Sequence, residues 1–377
     1  MNDMPGMDLP DGLGRADDDG AHSRRSALKL FGAGGGAVAA SALLAACNGV
    51  HSSAGPAGAN GAFPGVPGWK FVFVNHVTTN SFFVPTRTGM ADAAKLLGIP
   101  EPQWTGSTEG NVSEMANAFS TAINGGAQGI AISLTDSKAF VDLTKQALSK
   151  GIPVVSYNAT AANNYALTYV GQDLYLSGFM MGQRIAQSVT SGGILIGISQ
   201  PGGNNVQPRL DGATAALKQA APGVNVISVN TGAEQADELN AITAAYSGHP
   251  DAKGIYAVDA GSTASIAQLI NNRGLQGKVH AGGYDTLSDT LNGVKSGALD
   301  FTIDQSAYLQ GFLSVLYLFL FRASGSLVAP PATDTGLTFV TKSNVDPYVS
   351  ANSKFEGGPK TDLVPFPNSI PLPAPSQ

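Results

Sequence analysis

The sequence contains little cysteine, little histidine and little charge. Its single cysteine in 377 residues, Cys47, excludes internal disulfide bonds, so the folded chain must be stabilised by an apolar core. Five scattered histidines offer little for a metal site, and we expect neither a metal nor another cofactor. Charged residues are only 13% of the chain, the net charge is -6, and no stripe of Lys and Arg occurs, which argues against a nucleic-acid partner.

The one cysteine ends an apolar segment that follows two adjacent arginines. Arg24 and Arg25 stand about twenty residues before Cys47, and residues 30–46 are small, apolar and uncharged. This order is typical of a twin-arginine (Tat) export signal with a lipid-attachment cysteine, and the segment is too short for a permanent membrane span. We predict that residues 1–46 are a lipoprotein signal peptide and that lipid on Cys47 anchors the exported protein at the outer face of the cytoplasmic membrane, in the cell envelope or periplasm.

Two other interpretations of this region are possible. Residues 32–37 fit the dinucleotide-binding pattern G-x-G-x-x-A, but neither the preceding strand nor the later acidic residue that this site needs is present. Cys47 could instead be a buried structural thiol, although such residues do not usually follow Leu-Ala-Ala after a twin-arginine start.

The chain that remains after the signal is long enough for two core-forming domains. Residues 47–67 are rich in Gly, Ala, Ser and Pro and predict a flexible tether between lipid and domain, and the proline-rich residues 357–377 predict a disordered tail. The apolar residues 312–321 are too few to cross a bilayer and are interpreted as a buried helix.

Between these ends, short apolar segments alternate with segments of helical periodicity over more than 200 residues. This alternation predicts an α/β protein with parallel sheets and right-handed crossovers, arranged as two doubly wound lobes. The predicted strands are Lys70–Asn75, Gly129–Leu134, Ile152–Tyr157, Gly193–Ser199, Val224–Val229, Gly254–Val258 and Val279–Tyr284.

The two halves of the chain repeat one pattern of polar residues after strands. Asp136 and Asp259 each follow a strand, 123 positions apart, and the next strands end at Asn158 and Asp285. In open parallel sheets ligands bind beyond the carboxyl ends of the strands, where all four residues fall. Two such lobes, face to face, would enclose a ligand.

Each of these aspartates could instead cap a helix. Asp136 and Asp285 are both followed by sequences that can start a helix, so the capping alternative stays open for them. For Asp259, we expect Ser262 or Thr263 to be the cap, which leaves its carboxylate for a ligand.

The chain resembles the sugar-binding receptors of bacterial ATP-driven importers, the ribose-binding-like branch of the type I periplasmic binding proteins. The resemblance covers about residues 68–341 and depends on the order of several motifs rather than on any one of them. These motifs are Asn80-Ser81-Phe82-Phe83, Gly151-Ile152-Pro153-Val154-Val155, Gly171-Gln172-Asp173, Arg209-x-x-Gly212, Gly283-Tyr284-Asp285 and Thr302-Ile303-Asp304-Gln305.

The resemblance implies an N-terminal lobe (68–170 plus 305–335) and a C-terminal lobe (171–304 plus 336–350). Hinge strands are expected near 170–172, 302–305 and 330–338. It also implies a ligand-binding cleft between the lobes. Together with the polar residues that follow the strands, the candidate site comprises His76, Asn80, Phe82, Phe83, Asp136, Asn158, Arg209, Asp259, Asp285 and Gln305.

These residue types suit a polyhydroxy ligand. Carboxylates, amides and a guanidinium can each hold neighbouring hydroxyl groups, and aromatic faces pack on the C–H face of a sugar ring. Ribose-type receptors carry Asp-Arg where this chain has Tyr157-Asn158, so a pentose cannot be assumed. Three aspartates against Arg209 leave the cleft acidic, which favours a neutral sugar, a polyol or an amino sugar over an anion. His76 could contact the ligand, or it could be a strand-edge residue whose hydrogen bonds are made within the protein. Phe82 and Phe83 could be core residues.

The predicted function is capture without chemistry, in which a monomer closes on its ligand and presents it to an ABC permease in the membrane. A sensory receptor, including one for a furanosyl autoinducer, is the alternative. A hydrolase using Asp136 and Asp259 lacks any supporting nucleophile motif. A transcription repressor of the same core fold would need a basic helix-turn-helix before the core, where this chain has the signal and tether.

Overall fold

The computed structural model describes residues 65–326 and 329–350. The predicted signal peptide, Cys47, nearly all of the predicted tether and the predicted proline-rich tail lie outside these residues. Within them, the strands are β1 (Phe71–Asn75), β2 (Gln103–Gly106), β3 (Gly129–Ile132), β4 (Val154–Tyr157), β5 (Tyr169–Gly171), β6 (Ser191–Ile198), β7 (Gly223–Asn230), β8 (Gly254–Ala257), β9 (His280–Tyr284), β10 (Phe301–Asp304), β11 (Ala332–Asp334) and β12 (Thr338–Val340).

The helices lie between the strands along the chain. They are α1 (Val84–Leu97), α2 (Val112–Asn124), α3 (Val141–Ser149), α4 (Leu174–Ala186), α5 (Gln207–Ala220), α6 (Gln235–Gly248), α7 (Ala260–Arg273), α8 (Ser288–Ser296), α9 (Ala307–Ser324) and the short α10 (Asp346–Ser350).

The strands form two six-stranded sheets, one in each lobe. The N-terminal lobe has the order β11-β5-β4-β3-β1-β2, and the C-terminal lobe has the order β12-β10-β9-β8-β6-β7. All neighbouring strands are parallel except β12, which runs antiparallel to β10. Most of the strands are followed by a helix that returns the chain to the edge of the sheet from which the next strand starts, which gives a parallel sheet. This confirms the predicted fold class of two doubly wound α/β lobes.

The chain passes between the two sheets three times, after β5, after β10 and between β11 and β12. Side chains link these crossings. Gln172 Nε2 donates to the Gly336 carbonyl at 3.0 Å, and Thr335 Oγ1 donates to the Gln305 carbonyl at 2.7 Å. The three crossings form the multi-strand hinge and are tied to one another.

The cores consist of apolar strand residues covered by helices. Strands β1, β3, β4, β8 and β10 are buried along their whole length, as continuous apolar segments of parallel sheets require. Among the described residues, α9 is the one helix long and apolar enough to cross a membrane by length and composition. Its buried face packs on α1, where the absence of side chains at Gly89 and Gly311 lets the two backbones approach closely. This is the arrangement of a core helix, as predicted for residues 312–321.

Candidate functional site

A cavity lies between the carboxyl edges of the two sheets. It contains about 550 Å³ of empty space, a figure that includes open solvent at its mouth. Nine of the ten candidate residues line it, and Asp136 does not. The nine are His76, Asn80, Phe82, Phe83, Asn158, Arg209, Asp259, Asp285 and Gln305.

The N-terminal lobe contributes an aromatic wall. Asn80 Oδ1 accepts from the Phe82 N–H at 2.9 Å and thereby caps the 3₁₀ turn Ser81–Phe83. The turn brings Phe82 and Phe83 together edge to face, with ring centroids 4.7 Å apart. Phe83 is buried against Trp104 in the lobe core, whereas Phe82 is half-buried. Phe83 is therefore mainly a core residue, although it also lines the cavity, and Phe82 is the aromatic side chain that has exposed surface for a ligand.

His76 follows β1 and lies behind this wall. Its Nδ1 is 3.1 Å from Ser133 Oγ, and its Nε2 is 3.3 Å from the Asn205 amide nitrogen of the C-terminal lobe. Burial lowers the pKa of His76 to about 4, so the ring is neutral at ordinary pH. An amide that donates to Nε2 fits a ring that carries its proton on Nδ1. His76 thus has protein partners on both ring nitrogens and also lines the cavity.

Arg209 is held by the protein on three sides. Its two terminal nitrogens donate to the Val258 carbonyl at 3.0 Å and to Gln172 Oε1 at 3.3 Å. The guanidinium lies over the Tyr284 ring, 4.2 Å from its centroid. Its buried Nε has no hydrogen-bonding partner among the described residues. Because the side chain is fixed in advance, it loses little conformational entropy when it binds a ligand.

Asp285 belongs to a chain of buried side chains at the hinge. Gln305 Nε2 donates to Asp285 Oδ1 at 2.7 Å, Gln310 Nε2 donates to Gln305 Oε1 at 3.0 Å, and Asn158 Nδ2 donates to Gln310 Oε1 at 3.2 Å. Burial raises the pKa of Asp285 to about 7, although the Arg209 charge acts in the opposite direction. Asp285 does not cap α8, whose N-cap residue is Leu287. This series of hydrogen bonds links the two lobes, because Asn158 follows β4 and Asp285 follows β9.

The role expected for Asp259 was partly wrong, because Asp259 itself is the N-cap of α7. Its Oδ1 accepts from the Ser262 N–H at 2.9 Å, and its Oδ2 accepts from the Ser199 N–H at 3.0 Å. The helix begins at Ala260, directly after the aspartate, so neither Ser262 nor Thr263 is available as the cap. The carboxylate still lines the cavity, so one group serves the helix terminus and faces the ligand space.

Asp136 is the candidate that the structure leaves out of the cavity. Its Oδ1 accepts from the backbone N–H groups of Lys138 at 2.8 Å and Ala139 at 2.7 Å. These two bonds lower the pKa of its carboxyl group below the usual range. The side chain is therefore committed to the turn before α3, and it does not cap that helix, whose N-cap residue is Phe140. The pairing of Asp136 with Asp259 in a hydrolytic site has no geometric basis.

One acidic residue of the cavity was missed by the sequence analysis. Glu238, in the first turn of α6, is buried, and its carboxyl group lies beside that of Asp259. It follows no strand, so the strand-end rule that located Asn158, Asp259 and Asp285 could not find it. Burial and the neighbouring Asp259 carboxylate raise the pKa of Glu238 to about 10. The cavity therefore contains the Arg209 guanidinium and three buried carboxyl groups whose pKa values are raised by burial, those of Glu238, Asp259 and Asp285.

The two lobes contact each other directly beside the cavity. The Asn204 backbone N–H donates to the Thr135 carbonyl at 2.9 Å, and Asn204 Nδ2 donates to the Leu134 carbonyl at 3.1 Å. Residues 134 and 135 belong to the N-terminal lobe and Asn204 to the C-terminal lobe. Together with the contact between His76 and Asn205, these bonds describe a closed arrangement of the lobes.

Known proteins share this architecture and parts of the sequence. Residues 71–320 match the model of the periplasmic binding protein domain family. The xylose/arabinose-binding protein XylF of Sulfolobus acidocaldarius is 44% identical over 313 residues, which cover 79% of this chain and 77% of that protein. The D-ribose/D-allose-binding protein of Pseudomonas aeruginosa is 27% identical over 217 residues, covering 55% of this chain and 67% of that protein.

A solved structure matches over a similar length. An ABC transporter solute-binding protein of Burkholderia graminis, in complex with D-arabinose, superposes with a TM-score of 0.70 at 26% identity. The match covers 74% of this chain and 96% of that protein.

Proposed function

Because the chain belongs to the periplasmic binding protein domain family, we propose that it captures a neutral sugar between its lobes and delivers it to the membrane permease of an ABC importer. Members of this family bind their ligands without chemical change. The observation that carries the proposal is the cavity itself, which combines a half-buried aromatic ring with amide, guanidinium and carboxyl groups from both lobes. Sugar hydroxyl groups donate and accept hydrogen bonds, so they match such a lining.

The ligand class that we propose is an aldopentose. The 44% identical relative is named for xylose and arabinose, and the Burkholderia protein was solved with D-arabinose. The composition of the cavity supports a neutral ligand, because its one guanidinium, Arg209, faces the carboxyl groups of Glu238, Asp259 and Asp285. An anionic sugar phosphate would bring further negative charge into this buried space at a high desolvation cost. This chain lacks the Asp-Arg pair at residues 157 and 158, and we propose a pentose in spite of that difference because of the sugars named for these two relatives.

We assign ligand contact to the nine cavity residues of the candidate set. Phe82 would pack on the C–H face of the sugar ring, and Arg209 and Asp285 would hold its hydroxyl groups. Asn158 and Gln305 connect the site to the hinge, so closure and ligand contact would involve the same side chains. Asp136 is not part of this assignment.

The export route is also part of the proposal. The twin arginines and Cys47 support export as a lipoprotein, held by lipid at the outer face of the cytoplasmic membrane. We also propose that the exported protein acts as a monomer. Transport is favoured over the sensory alternative, because the similar Burkholderia protein is an ABC transporter solute-binding protein.

The test is a calorimetric titration of the purified protein with sugars of different classes. We expect 1:1 binding of D-xylose or L-arabinose, weaker binding of pentitols and glucosamine, and no binding of ribose 5-phosphate or amino acids. Binding at a ligand concentration of about a hundred times the dissociation constant should also add about 2.7 kcal/mol to the free energy of unfolding. A protein that binds only anions or amino acids would overturn the proposal.

A further inference from the structure

Glu238 differs from the other acidic residues of the cavity, Asp259 and Asp285, because it comes from a helix rather than from the end of a strand. It lies in the first turn of α6, and its side chain is 2% exposed. No N–H or hydroxyl group of the described residues donates to its Oε2. An ionised carboxylate buried in this way would be costly, so this group must be neutral or must have an additional partner.

The neighbouring acidic group in the cavity is the carboxyl group of Asp259. Two ionised carboxylates have only acceptor atoms and repel each other, so a buried pair favours one protonated member. Asp259 accepts from the backbone N–H groups of Ser199 and Ser262, which stabilise its charge, whereas Glu238 Oε2 has no such donor. The proton therefore resides on Glu238.

The first turn of α7 is shaped to receive this acid. Gly261 lies against the Glu238 carboxyl group, and a Cβ atom at this position would overlap it. Glycine at position 261 is thus what allows the carboxyl group to reach both Asp259 and the cavity. The remaining charged groups that act on the pair are Glu234 on the same helix and Asp285 across the cavity, while Arg209 donates to the carbonyl of the residue before Asp259.

We propose that Glu238 is a ligand-binding residue that contacts a sugar hydroxyl as a neutral carboxylic acid, paired with the Asp259 carboxylate. The hydroxyl accepts a hydrogen bond from the Glu238 O–H and donates one to Asp259, which has lone pairs left beside its two backbone bonds. A position without a hydroxyl leaves both groups unsatisfied. The pair thus selects a hydroxyl at one ring position.

This inference rests on the proposed function, and its test uses D-xylose and the 2-, 3- and 4-deoxy derivatives of D-xylose as probes. Calorimetric dissociation constants are measured for the wild type, Glu238→Gln and Glu238→Leu. The matched controls are Glu234→Gln and Glu234→Leu, because Glu234 is exposed at the start of the same helix and lies outside the cavity. Circular dichroism melts show whether each variant is folded.

We expect Glu238→Gln to bind D-xylose within about threefold of the wild type, because the amide N–H replaces the acid O–H. Glu238→Leu should bind about tenfold or more weakly. The wild type should bind one of the three deoxy sugars about tenfold or more weakly than it binds D-xylose. Glu238→Leu should bind that deoxy sugar and D-xylose with equal affinity, because the missing hydroxyl and the missing acid belong to the same contact. Both Glu234 variants should bind like the wild type.

Equal weakening of all four sugars by Glu238→Leu would assign a purely structural role to Glu238 and overturn the inference. If the Leu variant does not fold, the Gln variant tests the inference alone. A loss of D-xylose affinity of more than about tenfold in that variant would mean that Glu238 binds the ligand as a carboxylate, which would overturn the inference. Wild-type protein that binds none of these sugars would refute the proposed function instead, so the two failures are distinguishable.

Discussion

The bonds between the lobes at Asn204 make closure measurable apart from ligand contact. Asn204 Nδ2 donates to the Leu134 carbonyl at 3.1 Å across the cleft, and Asn204 does not line the cavity. The substitution Asn204→Ala therefore removes a bond that only the closed form has. One such hydrogen bond contributes about 0.5–1.5 kcal/mol net, so the dissociation constant should rise about two- to thirteenfold.

The closed form has the same cavity whichever sugar occupies it, so Asn204→Ala should weaken D-xylose and L-arabinose by the same factor. Isothermal titration of both sugars measures this ratio. The matched control is Asn344→Ala, which removes a bond of the same type, from Nδ2 to the Phe339 carbonyl at 3.0 Å, within the C-terminal lobe. That variant should melt at a lower temperature with unchanged sugar binding. A changed ratio between the two sugars, or no weakening by Asn204→Ala, would refute the closure argument.

The other predictions concern the charged residues. Asp285→Ala should weaken sugar binding about tenfold or more, because Gln305 and the ligand each lose a buried partner, whereas Asp136→Ala should leave calorimetric affinity unchanged. Arg209→Ala should weaken binding by a similar factor and also lower the melting temperature, because it removes the bonds to Val258 and Gln172; an unchanged affinity would contradict the site assignment. The raised pKa of Asp285, about 7, means that the folded protein binds this proton more tightly than the unfolded chain, so its contribution to stability is full below about pH 4 and is lost as the pH rises to about 7. Denaturant melts of ligand-free Asp285→Asn should lack that part of the pH slope, and a slope identical to the wild type would show that Asp285 is not buried in solution.

The strand-end residues could be predicted from sequence because the parallel sheet fixes where they meet. A buried apolar segment followed by a polar residue locates the carboxyl edge, and this placed Asn158, Asp259 and Asp285 at one cavity. The same rule failed for Asp136, which lies four residues beyond the end of β3 and turns back onto its own backbone. Distance along the loop, rather than residue type, separates these outcomes.

The missed features depend on contacts between distant segments. Glu238 reaches the cavity only because Gly261 leaves room for it, and no local pattern carries that information. Residues 202–205 carry no sequence pattern that marks them as part of the site, yet Asn204 and Asn205 make contacts across the cleft. The strands β2, β11 and β12 are three or four residues long and partly exposed, so their neighbours in the sheet, not their own sequences, make them strands.

Closure of the two lobes on a neutral sugar can be measured by small-angle X-ray scattering of the wild-type protein with and without saturating D-xylose. We expect a smaller radius of gyration with the sugar, and a scattering curve that then matches the closed arrangement described for residues 65–326 and 329–350. Identical curves in both conditions, with calorimetry showing that the sugar is bound, would contradict it.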